Sequence, residues 1–388
     1  MQKQAFLFLS LCLMAGCTGH VKPPAEQAGT PVFQKTTYQQ LPAWDKDNLR
    51  TAMDAFRLSC EKLLQIPAEK PFRPLGTYGD FHEPCRAAVS VNSVNPQAVR
   101  SFFETWFDPY EVSVRETGAQ EGLFTGYYEA SLRGSLKRHG SYQTPLYAVP
   151  EDLYTADLGQ WYEDLEGKKI TAQVRDGQLL RYPDRAAIER EGLPAAEVVV
   201  WVDDPVDAFF LQIQGSGVVS LDTGGTMRVG YAGKNGHAYF AIGRALIERE
   251  ELTKENVSLQ TIRAWMELNP AQAQDLMNLN PSYVFFRALE TDGPVGAQGV
   301  VLTPLRSLAV DKNLYDYGLP VWMAFDSPEQ GKGKLAQLVI AQDTGGAIRG
   351  VVRGDFFWGY GSGAEERAGK MKSRGKYWFL FPKTISMN

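Results

Sequence analysis

Two aspartates stand in one glycine-rich, aromatic run near the C-terminus. The stretch Ala341-Gln-Asp-Thr-Gly-Gly-Ala-Ile-Arg-Gly-Val-Val-Arg-Gly-Asp-Phe-Phe-Trp-Gly-Tyr-Gly361 carries Asp343 and Asp355. A carboxyl group beside Phe356, Phe357 and Trp358 is shielded from water, and that shielding favours its protonated form. Glycines let the backbone approach a ligand closely or adopt positive φ. Such a setting suits an acid that must keep its proton near neutral pH. Asp beside Gly is equally an ordinary turn residue, so local pattern leaves both readings open. A third acid, Asp311, closes another apolar piece and reads chiefly as a structural turn residue.

The elements that must position these acids are short strands. Residues 299–303, 307–311, 320–325, 335–341 and 376–381 are apolar, β-prone and separated by turn residues. Several such pieces with few helices between them suggest a small closed barrel, one end of which could gather the three aspartates. Upstream, Leu123-Phe-Thr-Gly-Tyr-Tyr-Glu-Ala-Ser-Leu-Arg-Gly134 reads as a strand with Tyr127 and Tyr128 on opposite faces. It also suits an aromatic platform with the Thr125 hydroxyl turned to a sugar, and the two readings are compatible. Residues 204–217 read as a further strand with Gln212 and Gln214 on one face, leading into Gly-Ser-Gly. Helical periodicity marks residues 47–64, with Asp47 or Asn48 as cap, and a helix opening at Pro96, and two further stretches near 239–249 and 259–278. Residues 135–205 are polar and turn-rich and form a separate unit.

With 388 residues, 44% hydrophobic and 12% aromatic, the chain can bury a sizeable core and is expected to form two domains. A net charge of −5 argues against a nucleic-acid partner. The histidines His20, His82, His139 and His237 lack metal-ligand spacing, so neither a metal nor another cofactor is expected.

Residues 1–16 have the form of a signal peptide: Lys3, an apolar stretch from Ala5 to Met14, then the small residues Ala15 and Gly16. Leu13-Met-Ala-Gly-Cys17 resembles a bacterial lipoprotein signal, which implies lipidation of Cys17. Thr18, where aspartate would favour inner-membrane retention, points to the outer membrane, facing the periplasm. Residues 17–45, with Pro23, Pro24, Pro31 and Pro42, read as a linker. Cys60 and Cys85 are then the remaining cysteines, and an oxidising compartment favours a disulfide between them over two buried thiols.

Several blocks together resemble the membrane-bound lytic murein transglycosylase A family. They are Leu123-Phe-Thr-Gly-Tyr-Tyr-Glu129, Pro205-Val-Asp-Ala-Phe-Phe-Leu-Gln-Ile-Gln-Gly-Ser-Gly217, Arg228-Val-Gly-Tyr-Ala-Gly-Lys-Asn-Gly236, Asn280-Pro-Ser-Tyr-Val-Phe-Phe286, and a closing region with Asp311, Asp343 and Asp355. The resemblance implies a mainly β protein with flanking helices: a double-psi β-barrel from residues 46–134 and 271–388, a smaller β domain inserted at 135–270, and a saccharide groove between them. It implies cleavage of peptidoglycan glycan strands with formation of 1,6-anhydro ends. Asp355 would be the general acid/base, with Asp343 and Asp311 supporting. Thr125, Tyr127, Tyr128, Gln212, Gln214, Ser216, Arg228, Tyr231 and Asn235 are expected at the sugar. Cell-wall synthesis or division complexes are the protein partners that fit. The interval from Asp343 to Asp355 is one residue longer than in some members, with Arg353-Gly354 where others have a more apolar pair. Two alternatives compete: a wall-binding lipoprotein without turnover, and an aspartic protease built from Asp222-Thr-Gly224 and Asp343-Thr-Gly345. The anchor is checked by Cys17→Ala, which is expected to yield a protein without lipid by mass spectrometry; retained lipid would contradict the signal reading.

Overall fold

The computed structural model describes residues 29–329 and 331–385, so Cys17 and the signal segment lie outside the described residues. The chain opens with β1 (Pro31–Lys35), α1 (Arg50–Leu63), α2 (Gly79–Ala88), α3 (Pro96–Trp106), β2 (Phe107–Val114) and the long β3 (Gly122–Ser135). It then leaves the barrel for β4 (Thr144–Tyr147), β5 (Tyr154–Asp157), β6 (Lys169–Arg175), β7 (Gln178–Arg181), α4 (Arg185–Glu191), β8 (Val198–Val202) and α5 (Pro205–Gln214). This excursion continues through β9 (Ser216–Leu221), β10 (Thr226–Lys234), α6 (Ile242–Glu248), α7 (Leu259–Leu268), α8 (Pro270–Asn278) and β11 (Val284–Leu289). The chain returns as β12 (Ser307–Val310), β13 (Pro320–Asp326), β14 (Lys334–Asp343), β15 (Arg353–Tyr360), α9 (Ser362–Lys370) and β16 (Lys372–Pro382).

Six strands close on themselves in the order β3, β15, β12, β14, β13, β16, with β16 pairing back to β3. Within this ring β12–β14 and β15–β3 are parallel and the other neighbours antiparallel. Strand alternation sends Phe124, Phe325, Phe356 and Tyr377 into a shared aromatic core, with Phe124–Tyr377 centroids 5.2 Å apart and Phe325–Phe356 5.5 Å apart. The neighbours of Phe356 on its strand, Asp355 and Phe357, therefore lie on the other face. The later half of β3 leaves the ring and pairs with β9 and β8, so a single strand belongs to both sheets.

Several sequence expectations are corrected. Residues 31–35 are not linker: β1 pairs with β2, and Phe33 packs edge-on against Phe381 at 5.2 Å. Its first residue, Pro31, is tolerated because β1 lies at a sheet edge. Trp44, also in the expected linker, is buried. Residues 205–214 form a helix, because Asp204 Oδ1 caps the Val206 and Asp207 N–H groups, Pro205 fills the first position and Gly215 closes it at φ 84°. Those three end signals outweigh the alternation of Phe209, Leu211 and Ile213. Asn269-Pro270 splits the helix expected at 259–278 into α7 and α8. The inserted unit runs past residue 270, since β11 still pairs with β10. Residues 299–303 contribute one isolated bridge, Val295 to Val301, in place of a strand.

Asp47 does not cap α1. Its carboxylate accepts both terminal nitrogens of Arg306 at 2.7 and 2.6 Å and the Leu338 N–H at 2.9 Å, fixing the approach to α1 against β14. Cys60 on α1 and Cys85 on α2 form a disulfide, their Cα atoms 5.1 Å apart. Cross-linking residues 25 apart restricts the unfolded chain by about 3 kcal/mol. Replacing both cysteines by serine is expected to lower unfolding free energy by roughly 2–4 kcal/mol in urea titrations; an unchanged midpoint would show that helix packing alone holds the pair.

Candidate active site

The acids meet through strand register. Ala309 on β12 pairs with Asp343 on one side and Asp355 on the other, and Asp355 pairs with Thr125 on β3. Thr125, Asp355, Ala309 and Asp343 thus form one transverse row on the outward face of the barrel. Two strand spacings place the Asp343 and Asp355 Cα atoms about 10 Å apart, with the buried Ala309 between them. A register shift on β14 makes the row possible: Leu308 pairs with Ala341, while Ala309 pairs with Asp343. The residue passed over, Gln342, is buried and donates to Ala55 O and Ser59 Oγ on α1 while accepting from Ser307 Oγ at 2.6 Å. The bulge aims an acid where regular pairing would have placed a glutamine.

Asp355 Oδ1 accepts a 2.7 Å hydrogen bond from Thr125 Oγ1, which itself accepts from Arg353 at 2.9 Å. Burial pushes the Asp355 carboxyl above its ordinary range, opposed by the Arg353 charge and the Thr125 bond. Asp343 Oδ1 accepts the Ala297 and Thr344 N–H groups, each at 2.9 Å. Its carboxyl is pushed up to about 6, chiefly by burial and further by Asp355, against the effect of those bonds. Tyr127 lies one step along the same face, packed on Phe357 at 5.1 Å with Leu302, Ala309 and Ile348 around it. Its buried hydroxyl has no hydrogen-bond partner among the described residues, and burial raises its pKa well above the ordinary value.

The other expected site residues divide. Asp311 is a brace: Oδ1 accepts from Asn313 N–H at 3.1 Å and Oδ2 from Gly350 N–H at 2.9 Å, with Arg349 beside it. It ties β12 to the loop between Asp343 and Asp355. Tyr128 points the opposite way from Tyr127, its hydroxyl donating to Glu365 of α9 at 3.1 Å. Expected at the sugar, Gln212 is instead buried on α5, accepting from Arg185 at 2.7 Å and Val284 N–H at 3.2 Å. Asn235 is likewise committed, donating to Pro183 and Pro281 carbonyls at 2.9 Å and accepting from Tyr283 N–H. Their amides are occupied because helix and loop ends around them leave backbone groups to satisfy. Gln214 accepts from Tyr128 N–H at 3.2 Å. Arg228 reaches both oxygens of fully buried Glu129 at 2.6 Å, a pair that no spacing rule foretold. Tyr231 stays 50% exposed on β10, and Ser216 pairs with Gly230 beside it.

Gly126 explains how tightly Thr125 is held. A Cβ there would lie 2.6 Å from Trp358 Nε1, so only glycine lets β3 run against β15 and α9. Sequence reasoning missed Arg353 and Glu129; the Arg353-Gly354 pair before Asp355 was a visible signal, whereas Glu129 gave none beyond its place in an aromatic strand.

The two Asp-Thr-Gly triplets do not converge. Asp222 sits in the β9–β10 hairpin, bonded to His139 at 2.7 Å, with its N–H on Gly134 O. Gly134 lies nine residues beyond Thr125 on β3, roughly 30 Å along an extended strand. An aspartic-protease dyad is excluded.

Comparison with known proteins gives the class. A family model described as the MltA specific insert domain matches residues 123–287, and the 3D domain model matches residues 306–381. The membrane-bound lytic murein transglycosylase A of Escherichia coli K12 is 32% identical over 263 residues, 66% of this chain and 65% of that protein, so the match spans just under two thirds of the relative. The crystal structure of the membrane-bound lytic murein transglycosylase from Agrobacterium tumefaciens is 30% identical with a TM-score of 0.80, covering 91% of this chain and 98% of that one. The structure of E. coli MltA with bound chitohexaose is 26% identical, with a TM-score of 0.65 and coverage of 92% and 95%. The fold is thus shared with solved structures of lytic transglycosylases. The chain belongs to the membrane-bound lytic murein transglycosylase A family.

Because the native state raises the pKa of Asp343 above its ordinary 3.8, it binds that proton more tightly than the unfolded chain does. The resulting stability is complete below 3.8 and is lost as pH rises through about 6. Asp343→Asn keeps the acceptor oxygen and cannot ionise. It is expected to melt close to wild type at pH 4 and several degrees higher at pH 8. A difference between the proteins that does not vary with pH would contradict burial as the cause.

Proposed function

We propose that the protein cleaves the β-1,4 bond between N-acetylmuramic acid and N-acetylglucosamine in peptidoglycan, leaving 1,6-anhydro-N-acetylmuramic acid ends, with Asp355 as the single general acid/base. The observation that carries this reading is the unequal state of the two acids on the row. Asp343 spends one oxygen on two backbone N–H groups, whereas Asp355 receives a single side-chain bond and is raised by burial. Hydrolytic glycosidases need a second carboxylate to activate water or form a covalent sugar. An intramolecular nucleophile removes that need.

Protonated Asp355 gives its proton to the glycosidic oxygen as the C1–O bond breaks, and the N-acetylglucosamine part leaves with a free hydroxyl. The muramic acid C6 hydroxyl bonds to its own C1, and its proton passes to the Asp355 carboxylate. The acid is regenerated and no water is consumed. Holding the C6 hydroxyl against C1 supplies an effective concentration worth about 7–11 kcal/mol, so one acid/base suffices.

The barrel is proposed to be of the double-psi type, with the glycan lying in a groove between it and the inserted unit. Thr125 and Tyr127 sit at the reacting row, and Gln214, Ser216, Arg228 and Tyr231 extend the site along the insert. Binding of chitohexaose by the E. coli relative supports a glycan-strand ligand. The membrane-bound names of the relatives support attachment to a membrane, for which a lipid on Cys17 and the periplasmic face of the outer membrane are the proposed means and place. Asp355→Asn keeps the shape and removes the proton. Mass spectrometry of fragments released from purified peptidoglycan is expected to show anhydro ends with the wild type and about 10²–10⁴-fold less product with the variant. Hydrated reducing ends would mean a hydrolase, and no fragments from either protein would mean a binder.

A further inference from the structure

Arg353 is buried, at 8% exposure, and its side-chain nitrogens meet no carboxylate directly among the described residues. They donate to the carbonyls of Leu123 and Gly354 and to Thr125 Oγ1, and Nε has no partner among the described residues. A guanidinium removed from water without a counter-ion is costly, so its position calls for a compensating role. The backbone around it is pinned by one hydroxyl: Tyr377 Oη accepts from Arg353 N–H at 2.9 Å and donates to Arg353 C=O at 2.8 Å.

The chain of contacts has a direction. A guanidinium has donors and no acceptor. Thr125 Oγ1 must therefore accept from Arg353, which leaves its single proton for Asp355 Oδ1 at 2.7 Å. We propose that Arg353 is a positioning residue for Asp355: it fixes the Thr125 hydroxyl as a donor to Oδ1 and leaves Oδ2 to carry the transferable proton. This rests on the reading of Asp355 as the acid. The hydroxyl between the two charges matters, because a direct ion pair would hold the carboxylate ionised at working pH.

The charged and titratable groups around Asp355 are few. Tyr127 faces it from β3 and Asp343 from β14, while β12 presents uncharged Ala309. Lys372 of β16 pairs with Thr125 in register, but its side-chain nitrogen reaches Lys254 O. On α9, Glu365 bonds Tyr128 and Arg367 stacks over Trp358. Arg353 is thus the cation that lowers Asp355 against burial.

The test is the pH profile of anhydro-product release by wild type, Arg353→Gln, Arg353→Lys, Thr125→Val and the double variant Arg353→Gln with Thr125→Val, with Asp355→Asn as blank and thermal melting as the check on folding. Arg353→Gln is expected to move the alkaline limb up by roughly one unit and to lower kcat about tenfold with KM little changed. Arg353→Lys retains the charge and is expected to keep the limb within a few tenths of a unit while losing part of kcat. The kcat losses of Arg353→Gln and Thr125→Val are expected to be less than additive when combined. A folded Arg353→Gln protein with the wild-type limb, or fully additive kcat losses, would overturn the proposal. Should Arg353→Gln not fold, an Arg353→Lys limb shifted by a full unit would overturn it. Absence of anhydro product from wild type would instead reject the assigned reaction, so the two failures are distinguishable.

Discussion

The pairing of Thr125 with Asp355 across two parallel strands is the contact on which the site depends. β3 supplies Thr125 to the barrel and, a few residues on, forms the edge to which β9 and β8 of the inserted unit attach. A shift of one residue in this register would turn Asp355 into the aromatic core and bring Phe356 outward. The register is held by Phe124 and Phe356, which have nowhere else to be buried, and by Gly126, whose missing side chain admits Trp358. Core packing and the placement of the acid are therefore one constraint.

Two carboxyls on the same row experience opposite local chemistry within a common tendency. Burial raises both. Asp343 is partly compensated by backbone N–H groups, which also fasten the chain around Ala297 and Thr344. Asp355 is compensated by a charge acting through a hydroxyl. Each can hold a proton nearer neutral pH than a free aspartate, but Asp343 is tied to its own loop and Asp355 is not. That difference, more than either pKa, favours Asp355 over Asp343 as the proposed acid.

Polar residues elsewhere follow the same economy. Gln212, Asn235 and Asp311 lie in conspicuous motifs, yet each satisfies backbone groups or an arginine where helices and loops end. Motif residues around a site are frequently its scaffold, since a buried N–H without an acceptor costs about as much as a lost hydrogen bond. The rigid frame built by Asp311 and Gln342 limits the freedom of the loop that carries the chain from Asp343 to Asp355.

Composition and local pattern determined much in advance. Strands β12, β13, β14 and β16 of the closing region and helix α3 were legible because period-2 and period-3.6 patterns are written directly in side chains, whereas 299–303 and β15 were not. The blocks that mark the family were legible too. In residues 205–214 the alternation of Phe209, Leu211 and Ile213 suits a strand, and only the capping contacts of Asp204 and Gly215 decide for a helix. What the tertiary structure alone decided is adjacency. The bulge that puts Asp343 opposite Ala309, the turn of Tyr128 away from Tyr127, the Glu129–Arg228 pair and the Arg353–Thr125–Asp355 chain all join residues through strand register and packing. Some of these partners are separated by more than 200 positions, as Thr125 and Asp355 are by 230. No local propensity encodes such a distance; the closing of the barrel does.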